Sequence, residues 1–197
     1  QAELDQARAD HRLDRDSEQL ARVQGITDRL VAEARRHYPI GREWDWEIHV
    51  LDNPEVNAYC APGGKMMVLS GLLKATAMDP DQIANVIGHE IAHALLEHAR
   101  ASLSRDWLLE SGMWIVAKSL KMGEARRQSA AEGLRALLLP MSREQEREAD
   151  RLGLDLMRRA GFDARRGVLF WRTAEEDGAG EANLAAFMST HPTHAER

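Results

Sequence analysis

Residues 79–95 have the sequence DPDQIANVIGHEIAHAL, which combines the signals of a helix start with two histidines four residues apart. Asp79 is a good N-cap and Pro80 suits the first helical position, so together they predict the start of a helix. Gln82 adds an arrangement similar to a capping box. Apolar residues then recur at helical spacing, which predicts a helix over about residues 80–100 that packs against a core.

The pentapeptide His89-Glu90-Ile91-Ala92-His93 lies in the middle of this predicted helix. Side chains four residues apart share a helix face, so the two imidazoles can bind one zinc ion. Glu90 is rotated to one side of that face, where its carboxylate can act as a general base. The alternative is a chance match on a solvated helix. The neighbouring apolar residues favour burial instead, and burying two imidazoles without a partner costs free energy.

A third ligand is expected, because catalytic zinc sites usually have three protein ligands and one open position. A second helix is predicted to begin at Ser142 and to stop at Gly161. It carries Glu146 and Asp150 on one face. One carboxylate can bind zinc while the other accepts the free ring N–H of a ligand histidine. The same spacing fits a solvated face that pairs with arginines, and the residues alone leave both interpretations open.

Composition excludes several classes of protein. Hydrophobic residues make up 44% of the 197 residues and charged residues 29%, which is the balance of a folded globular protein. The net charge of −6 offers no attraction to phosphates, so we expect no nucleic-acid partner. The single cysteine, Cys60, excludes an intramolecular disulfide and a zinc site built on cysteines. The sequence contains no run of about 18 apolar residues, so no segment is predicted to be a transmembrane helix.

The remaining patterns predict an α+β fold. Residues 3–37 have a helical pattern, and the chain beyond Gly71 is almost wholly helical in pattern. Strand or hairpin patterns occur between them, at residues 44–50, 56–61 and 65–70. We therefore predict a mostly helical protein with a small sheet of about three strands beside the HExxH helix. Residues 1–40 are predicted to form a helical segment packed on a catalytic domain of residues 41–197.

Five motifs occur in order along the chain: Asn57-Ala58-Tyr59, Ser70-Gly71-Leu72-Leu73, His89-Glu90-Ile91-Ala92-His93, Glu146-Arg147-Glu148-Ala149-Asp150 and Ser189-Thr190-His191-Pro192. Over about residues 44–197 the chain thereby resembles the HtpX/BepA-like zinc metallopeptidases, kin to the CAAX prenyl proteases. It is most similar to their soluble periplasmic branch. The resemblance implies a zincin-like (gluzincin) fold with one zinc ion per chain. It also implies a role for each residue of the site: His89, His93 and Glu146 as ligands, Glu90 as general base and Asp150 as hydrogen-bond partner of a ligand.

The function implied by this resemblance is that of an endopeptidase in protein quality control. Its substrates would be misfolded or mistargeted envelope proteins. It would be located in the periplasm of a bacterium or associated with a bacterial membrane. Peripheral association with a membrane is compatible with this function. A zinc-bound but proteolytically silent chaperone or scaffold of the same fold is the alternative. The sequence predicts no oligomeric state.

The resemblance also suggests a substrate-binding strand and a latch. An edge strand can bind an extended peptide by β-augmentation, and the segment assigned to this role is Lys65, Met66, Met67, Val68 and Leu69. An internal strand is the alternative. His191 matches a histidine that can occupy the open zinc position and keep the enzyme inactive, although an ordinary loop histidine fits equally. His194 can instead approach the metal or stabilise an oxyanion. His98, five residues after His93, departs from helical spacing and is interpreted as structural.

Overall fold

The computed structural model of the chain describes residues 17–61, 63–98, 143–170 and 172. Its elements follow in this order: α1 (Ser17–His37), α2 (Pro39–Glu43), β1 (Glu47–Leu51), β2 (Ala58–Ala61), β3 (Lys65–Leu69), α3 (Ser70–Ala75), α4 (Pro80–Leu95), α5 (residues 143–159, the described part of that helix) and α6 (Ala164–Gly167). The predicted α+β fold, mostly helical with a three-stranded sheet, is confirmed.

The hairpin predicted around Pro62 is present as β2 and β3. The two strands are antiparallel, with Ala58 opposite Val68. Gly63 and Gly64 have φ angles of 91° and 82°, a left-handed conformation that glycine adopts without the steric cost of a side chain.

The strand order of the sheet is β1-β3-β2, which makes β3 the central strand. The prediction of an edge strand is therefore wrong for its whole segment, Lys65, Met66, Met67, Val68 and Leu69. The reason is that β1 pairs in parallel with β3 on the side away from the hairpin. Alternating hydrophobicity cannot predict such a pairing, since it specifies faces and not neighbours. In the part of the chain that the structure describes, β2 has a strand on one side only, and it packs against α4.

Helix α4 begins as the sequence predicts. The Asp79 carboxylate accepts hydrogen bonds from the backbone N–H groups of Asp81 and Gln82, at 2.9 and 3.2 Å. The helix ends at Leu95, five residues before the predicted end, because Glu97 adopts a left-handed φ of 53°. Most side chains of α4 are buried, which places this helix at the centre of the core. No helix among the described residues combines the length and the apolar character needed to cross a membrane.

Helix α1 contributes to the same core and also holds the end of α5. Val23 and Leu30 are fully buried. Arg29 donates from Nε and Nη2 to the carbonyl oxygen of Ala160, at 3.0 and 2.5 Å. Its guanidinium lies 3.7 Å from the centroid of the Phe162 ring, a cation–π contact. The predicted domain boundary at residues 40 and 41 stays a prediction.

The C-terminus of α5 has the predicted glycine cap. Gly161 has a φ of 78°. Its N–H donates to the carbonyl oxygen of Arg158, and the N–H of Phe162 donates to that of Met157. This pair of hydrogen bonds is a Schellman motif, which satisfies carbonyl groups at the helix end.

Candidate metal centre

His89 and His93 project from one face of α4 towards Glu146 on α5. The two Nε2 atoms lie 2.9 Å apart. Glu146 Oε2 is 3.3 Å from His89 Nε2, and Glu146 Oε1 is 3.3 Å from His93 Nε2. Across the described ranges, this is the one group of three such side chains whose ligand atoms all lie within 4.8 Å of one another. The structure thus brings together the three residues that the sequence analysis selected as ligands.

The two helices that carry these candidate ligands approach each other at a pair of glycines. A Cβ atom added to Gly88 would lie 3.0 Å from the carbonyl oxygen of Gly153. One added to Gly153 would lie 2.9 Å from the carbonyl carbon of Gly88. A side chain at position 153 would clash with the backbone of α4, and one at position 88 would be tighter than ordinary van der Waals contact, so the helix backbones contact each other directly. Glu146, two turns before Gly153, therefore reaches the histidines of α4.

Asp150 lies where the sequence predicts it, beside His89, a candidate ligand. Its Oδ1 is 3.0 Å from His89 Nδ1. An ionised carboxylate only accepts hydrogen bonds, so Nδ1 is the donor and carries the ring proton. In the neutral imidazole, the lone pair of Nε2 then faces Glu146 and His93, and this is the tautomer that binds a metal ion.

The charge of the His89 side chain depends on whether a cation is bound between His89, His93 and Glu146. Burial lowers the pKa of the His89 imidazole, but hydrogen bonds to Asp150 and Glu146 and the negative charges of Glu90 and Glu146 together outweigh burial and raise the pKa to about 9. Without a cation, the side chain therefore carries an extra proton that offsets the nearby carboxylates. A divalent cation would displace that proton, because metal binding needs a neutral imidazole and ionised carboxylates.

The donor set fits a metal ion such as zinc. Two histidines and one glutamate are an established ligand set for catalytic zinc. Bonds of about 2.0–2.1 Å in tetrahedral geometry separate the ligand atoms by about 3.3 Å. The observed separations are 2.9, 3.3 and 3.3 Å. Two imidazole lone pairs at 2.9 Å would repel unless a proton or cation lay between them. His89, His93 and Glu146 would hold such an ion.

Glu90 is buried on α4, close enough to His89 and to Cys60 for its charge to act on both. It is 6% exposed. Burial raises the pKa of the Cys60 thiol, and the negative charge of Glu90 raises it further. The same charge acts on His89. Because Cys60 belongs to β2, the Glu90 carboxylate is near both the ligand cluster and the edge strand.

His98 contacts a candidate ligand, which the sequence interpretation did not predict. Its Nδ1 lies 2.9 Å from His93 Nδ1, and its Nε2 lies 3.3 Å from Glu148 Oε2. Burial lowers the pKa of His98, and the neighbouring His93 lowers it further. A continuous helix would carry position 98 away from His93, whereas the left-handed turn at Glu97 folds the chain back. No signal in the sequence marks that turn, because glutamate rarely adopts this conformation.

Three sequence-predicted features lie outside the described residues. They are the N-cap Ser142, the latch candidate His191 and the oxyanion candidate His194. Their assignments stay predictions.

Comparison with known proteins gives one family and several relatives. Residues 17–197 match the model of a family described as Peptidase family M48. The mitochondrial metalloendopeptidase OMA1 of Bos taurus is 35% identical over 198 residues, covering 89% of this chain and 35% of that protein. The human OMA1 is 31% identical over 208 residues, covering 100% and 39%. The beta-barrel assembly-enhancing protease of Escherichia coli is 28% identical over 156 residues, covering 75% and 32%. This chain thus spans less than half the length of each of these relatives.

Proposed function

Because this chain belongs to peptidase family M48, we propose that it is a zinc-dependent endopeptidase. The observation that carries the proposal is the convergence of His89, His93 and Glu146 from two helices that are distant in sequence. The relatives at 31–35% identity are named metalloendopeptidases, which supports the same reaction class. The resemblance to the HtpX/BepA-like branch is supported at the level of the family. The two mitochondrial relatives described above share more identity with this chain than the bacterial protease does.

The proposed chemistry divides between the ion and the side chains around it. A bound zinc ion would supply Lewis acidity, polarising the scissile carbonyl and lowering the pKa of a water molecule. The Glu90 carboxylate accepts a proton from the attacking water as the new C–O bond forms. The resulting Glu90 carboxyl then donates that proton to the amine nitrogen as the C–N bond breaks. Asp150 keeps His89 in the tautomer that leaves Nε2 free to bind the ion.

An extended substrate would pair with β2. The N–H of Leu69 donates to the carbonyl oxygen of Asn57. Antiparallel pairs alternate between bonded and non-bonded, so Tyr59 directs its backbone groups to β3 while Cys60 directs its own to the open edge. The helix that carries Glu90 packs against β2, and the charge of Glu90 acts on Cys60. Backbone pairing carries little side-chain selectivity, which suits a protease that cleaves unfolded chains.

The substrates that we propose are unfolded or misfolded proteins of a bacterial envelope. The relatives support a setting at or near membranes, since their names refer to mitochondria and to the assembly of β-barrels. Peripheral contact with a membrane is part of this proposal.

The test measures metal and cleavage separately. We expect about one zinc ion per chain in the wild type and in Glu90→Gln, and loss of zinc in His93→Ala. The wild type should cleave casein. Glu90→Gln should cleave it about 10²–10⁴-fold more slowly, because the general base is lost. Wild type that neither contains zinc nor takes it up would overturn the proposal. If the zinc-loaded wild type and the zinc-loaded His191→Ala variant both cleave nothing, the silent scaffold would be the function.

A further inference from the structure

We propose that His98 and Glu148 form a hydrogen-bonded relay that holds His93 in its metal-binding tautomer. Both would be positioning residues, since they act on the ion through His93. The inference rests on the proposed function, because it takes His93 Nε2 as a ligand.

The two ring nitrogens of His93 face different partners. Nε2 faces the ligand cluster, 2.9 Å from His89 Nε2 and 3.3 Å from Glu146 Oε1. Nδ1 faces the other way and lies 2.9 Å from Nδ1 of His98. One nitrogen is thus available to an ion while the other makes a hydrogen bond.

The directions of the hydrogen bonds follow from the chemistry of each group. To bind a cation through Nε2, a neutral His93 must carry its proton on Nδ1, which then donates to His98 Nδ1. His98 accepts there only if its own proton is on Nε2. That Nε2–H points at Glu148 Oε2, 3.3 Å away, and an ionised carboxylate only accepts. Every bond in the chain is therefore compatible with a single tautomer of each imidazole.

The arrangement completes a pattern that His89 already shows. Asp150 accepts directly from His89 Nδ1, whereas His93 reaches its carboxylate through an intervening imidazole. Both carboxylates come from the same helix as the ligand Glu146. Ligand histidines regularly donate their second N–H to a carboxylate, which fixes ring orientation and raises basicity. The relay gives His93 the same support.

The backbone supplies an independent reason to assign His98 a role. His98 is 7% exposed, although it lies beyond the end of α4. It is brought there by Glu97, whose φ of 53° is a left-handed conformation that is sterically unfavourable for a non-glycine residue. Such a conformation persists where surrounding contacts compensate for its cost. The contacts of His98 with His93 and Glu148 are contacts of this kind.

Two substitutions at position 98 separate the hydrogen bond from the volume of the ring. His98→Phe keeps a ring but removes both bonds. His98→Asn places an amide oxygen near the position of Nδ1 and can still accept from His93. We expect His98→Phe to weaken zinc binding about 10–100-fold, and His98→Asn to recover most of the loss. Zinc dissociation constants are measured by competition with a chromogenic chelator.

Nuclear magnetic resonance provides a readout that a merely structural role would not change. In the zinc-loaded wild type, long-range proton–nitrogen spectra should place the His93 proton on Nδ1, with slow exchange against solvent. In His98→Phe we expect that proton to exchange quickly. Thermal unfolding of chelator-treated protein shows whether each variant is folded.

The carboxylate end of the relay has a matched control on the same helix. Glu148 and Glu144 have similar side-chain exposures, 50% and 53%, and Glu144 pairs with Arg147 instead of the site. Glu148→Gln should weaken zinc binding by roughly tenfold at most, because a glutamine oxygen still accepts. Glu144→Gln should leave the affinity unchanged. Both positions are at the surface, so these variants are expected to fold.

The outcomes distinguish the two proposals. A wild type that binds zinc together with a His98→Phe variant that binds equally tightly would overturn the relay and leave the metal site in place. Equal losses in His98→Phe and His98→Asn would also overturn it, since a hydrogen bond to His93 would not explain them. A wild type unable to take up zinc would overturn both the relay and the proposed function.

Discussion

A Cβ atom built on Gly153 would lie 2.8 Å from the backbone nitrogen of His89, too close for any side chain. Gly153→Ala therefore requires α4 and α5 to move apart. Because Glu146 moves with α5 while the histidines stay on α4, the ligand atoms would separate. We expect a loss of about 1–3 kcal/mol in the free energy of unfolding and roughly tenfold weaker zinc binding. Urea unfolding and chelator competition measure the two effects.

Gly25→Ala is the control for this substitution. Gly25 is exposed on α1, and a Cβ added there meets nothing within 4 Å. Replacing glycine by alanine within a helix should stabilise the protein by up to about 1 kcal/mol and leave zinc binding unchanged. If Gly153→Ala bound zinc with wild-type affinity, the close crossing of the helices would not set the geometry of the site.

The protonation of His89 predicts how the stability of chelator-treated protein depends on pH. Its pKa of about 9 in the folded protein lies above the value of about 6.5 expected after unfolding. The folded state thus binds the proton more tightly, and this stabilisation is fully present below about pH 6.5. It is lost as the pH rises through about 9, and its full size is about 3 kcal/mol. Urea unfolding between pH 6 and 9.5 measures it.

His89→Gln provides the reference for that experiment, because glutamine does not titrate. As the pH rises from 6 to 9.5, the free energy of unfolding of this variant should decrease much less than that of the wild type. Equal pH dependence in the two proteins would mean that other groups cause it.

The left-handed residue after α4 predicts an order of stability at position 97. Glycine adopts the observed φ of 53° without steric cost, alanine less easily, and a β-branched residue least easily. We expect Glu97→Gly to be more stable than Glu97→Ala, and Glu97→Val to be the least stable, over a range of about 2 kcal/mol. Thermal unfolding with zinc bound and with zinc removed checks this order. Equal stability of the three variants would show that the turn relaxes when position 97 is changed.

Proline at position 60 tests the role of the β2 edge. The backbone N–H of Cys60 points away from β3, and proline is tolerated at such edge positions. Cys60→Pro should therefore keep the hairpin and the zinc site but lose one hydrogen bond to the substrate. We expect casein cleavage to fall about tenfold, the equivalent of roughly 1.4 kcal/mol. Cys60→Ala removes the thiol and keeps the N–H, so it should cleave at the wild-type rate; a matching loss there would contradict the pairing.

Features encoded by neighbouring residues could be predicted from the sequence. The side chain of Asp79 caps the backbone that follows it, and Gly161 supplies a conformation that few other residues adopt. The spacing of His89 and His93 fixes a shared helix face. These rules act within one or two turns, so they hold whatever the rest of the chain does.

Features that depend on contacts between distant segments could not be predicted in this way. The central position of β3 follows from its pairing with β1, which no local pattern records. The contact of His98 with His93 follows from a left-handed glutamate, which sequence preferences count as improbable. The direct approach of Gly88 to Gly153 likewise becomes visible only when both helices are in place.

The contacts of Arg29 with the end of α5 bear on how short a fragment of this protein could still hold the candidate metal site. A fragment that starts at residue 41 would keep every proposed zinc ligand. It would nevertheless lose the guanidinium that holds Ala160 and Phe162, together with the apolar face that α1 lays on α4. The C-terminal end of α5, the helix that carries Glu146, would then lack these contacts. The shortest autonomous unit should accordingly include α1, in agreement with a family match that starts at residue 17.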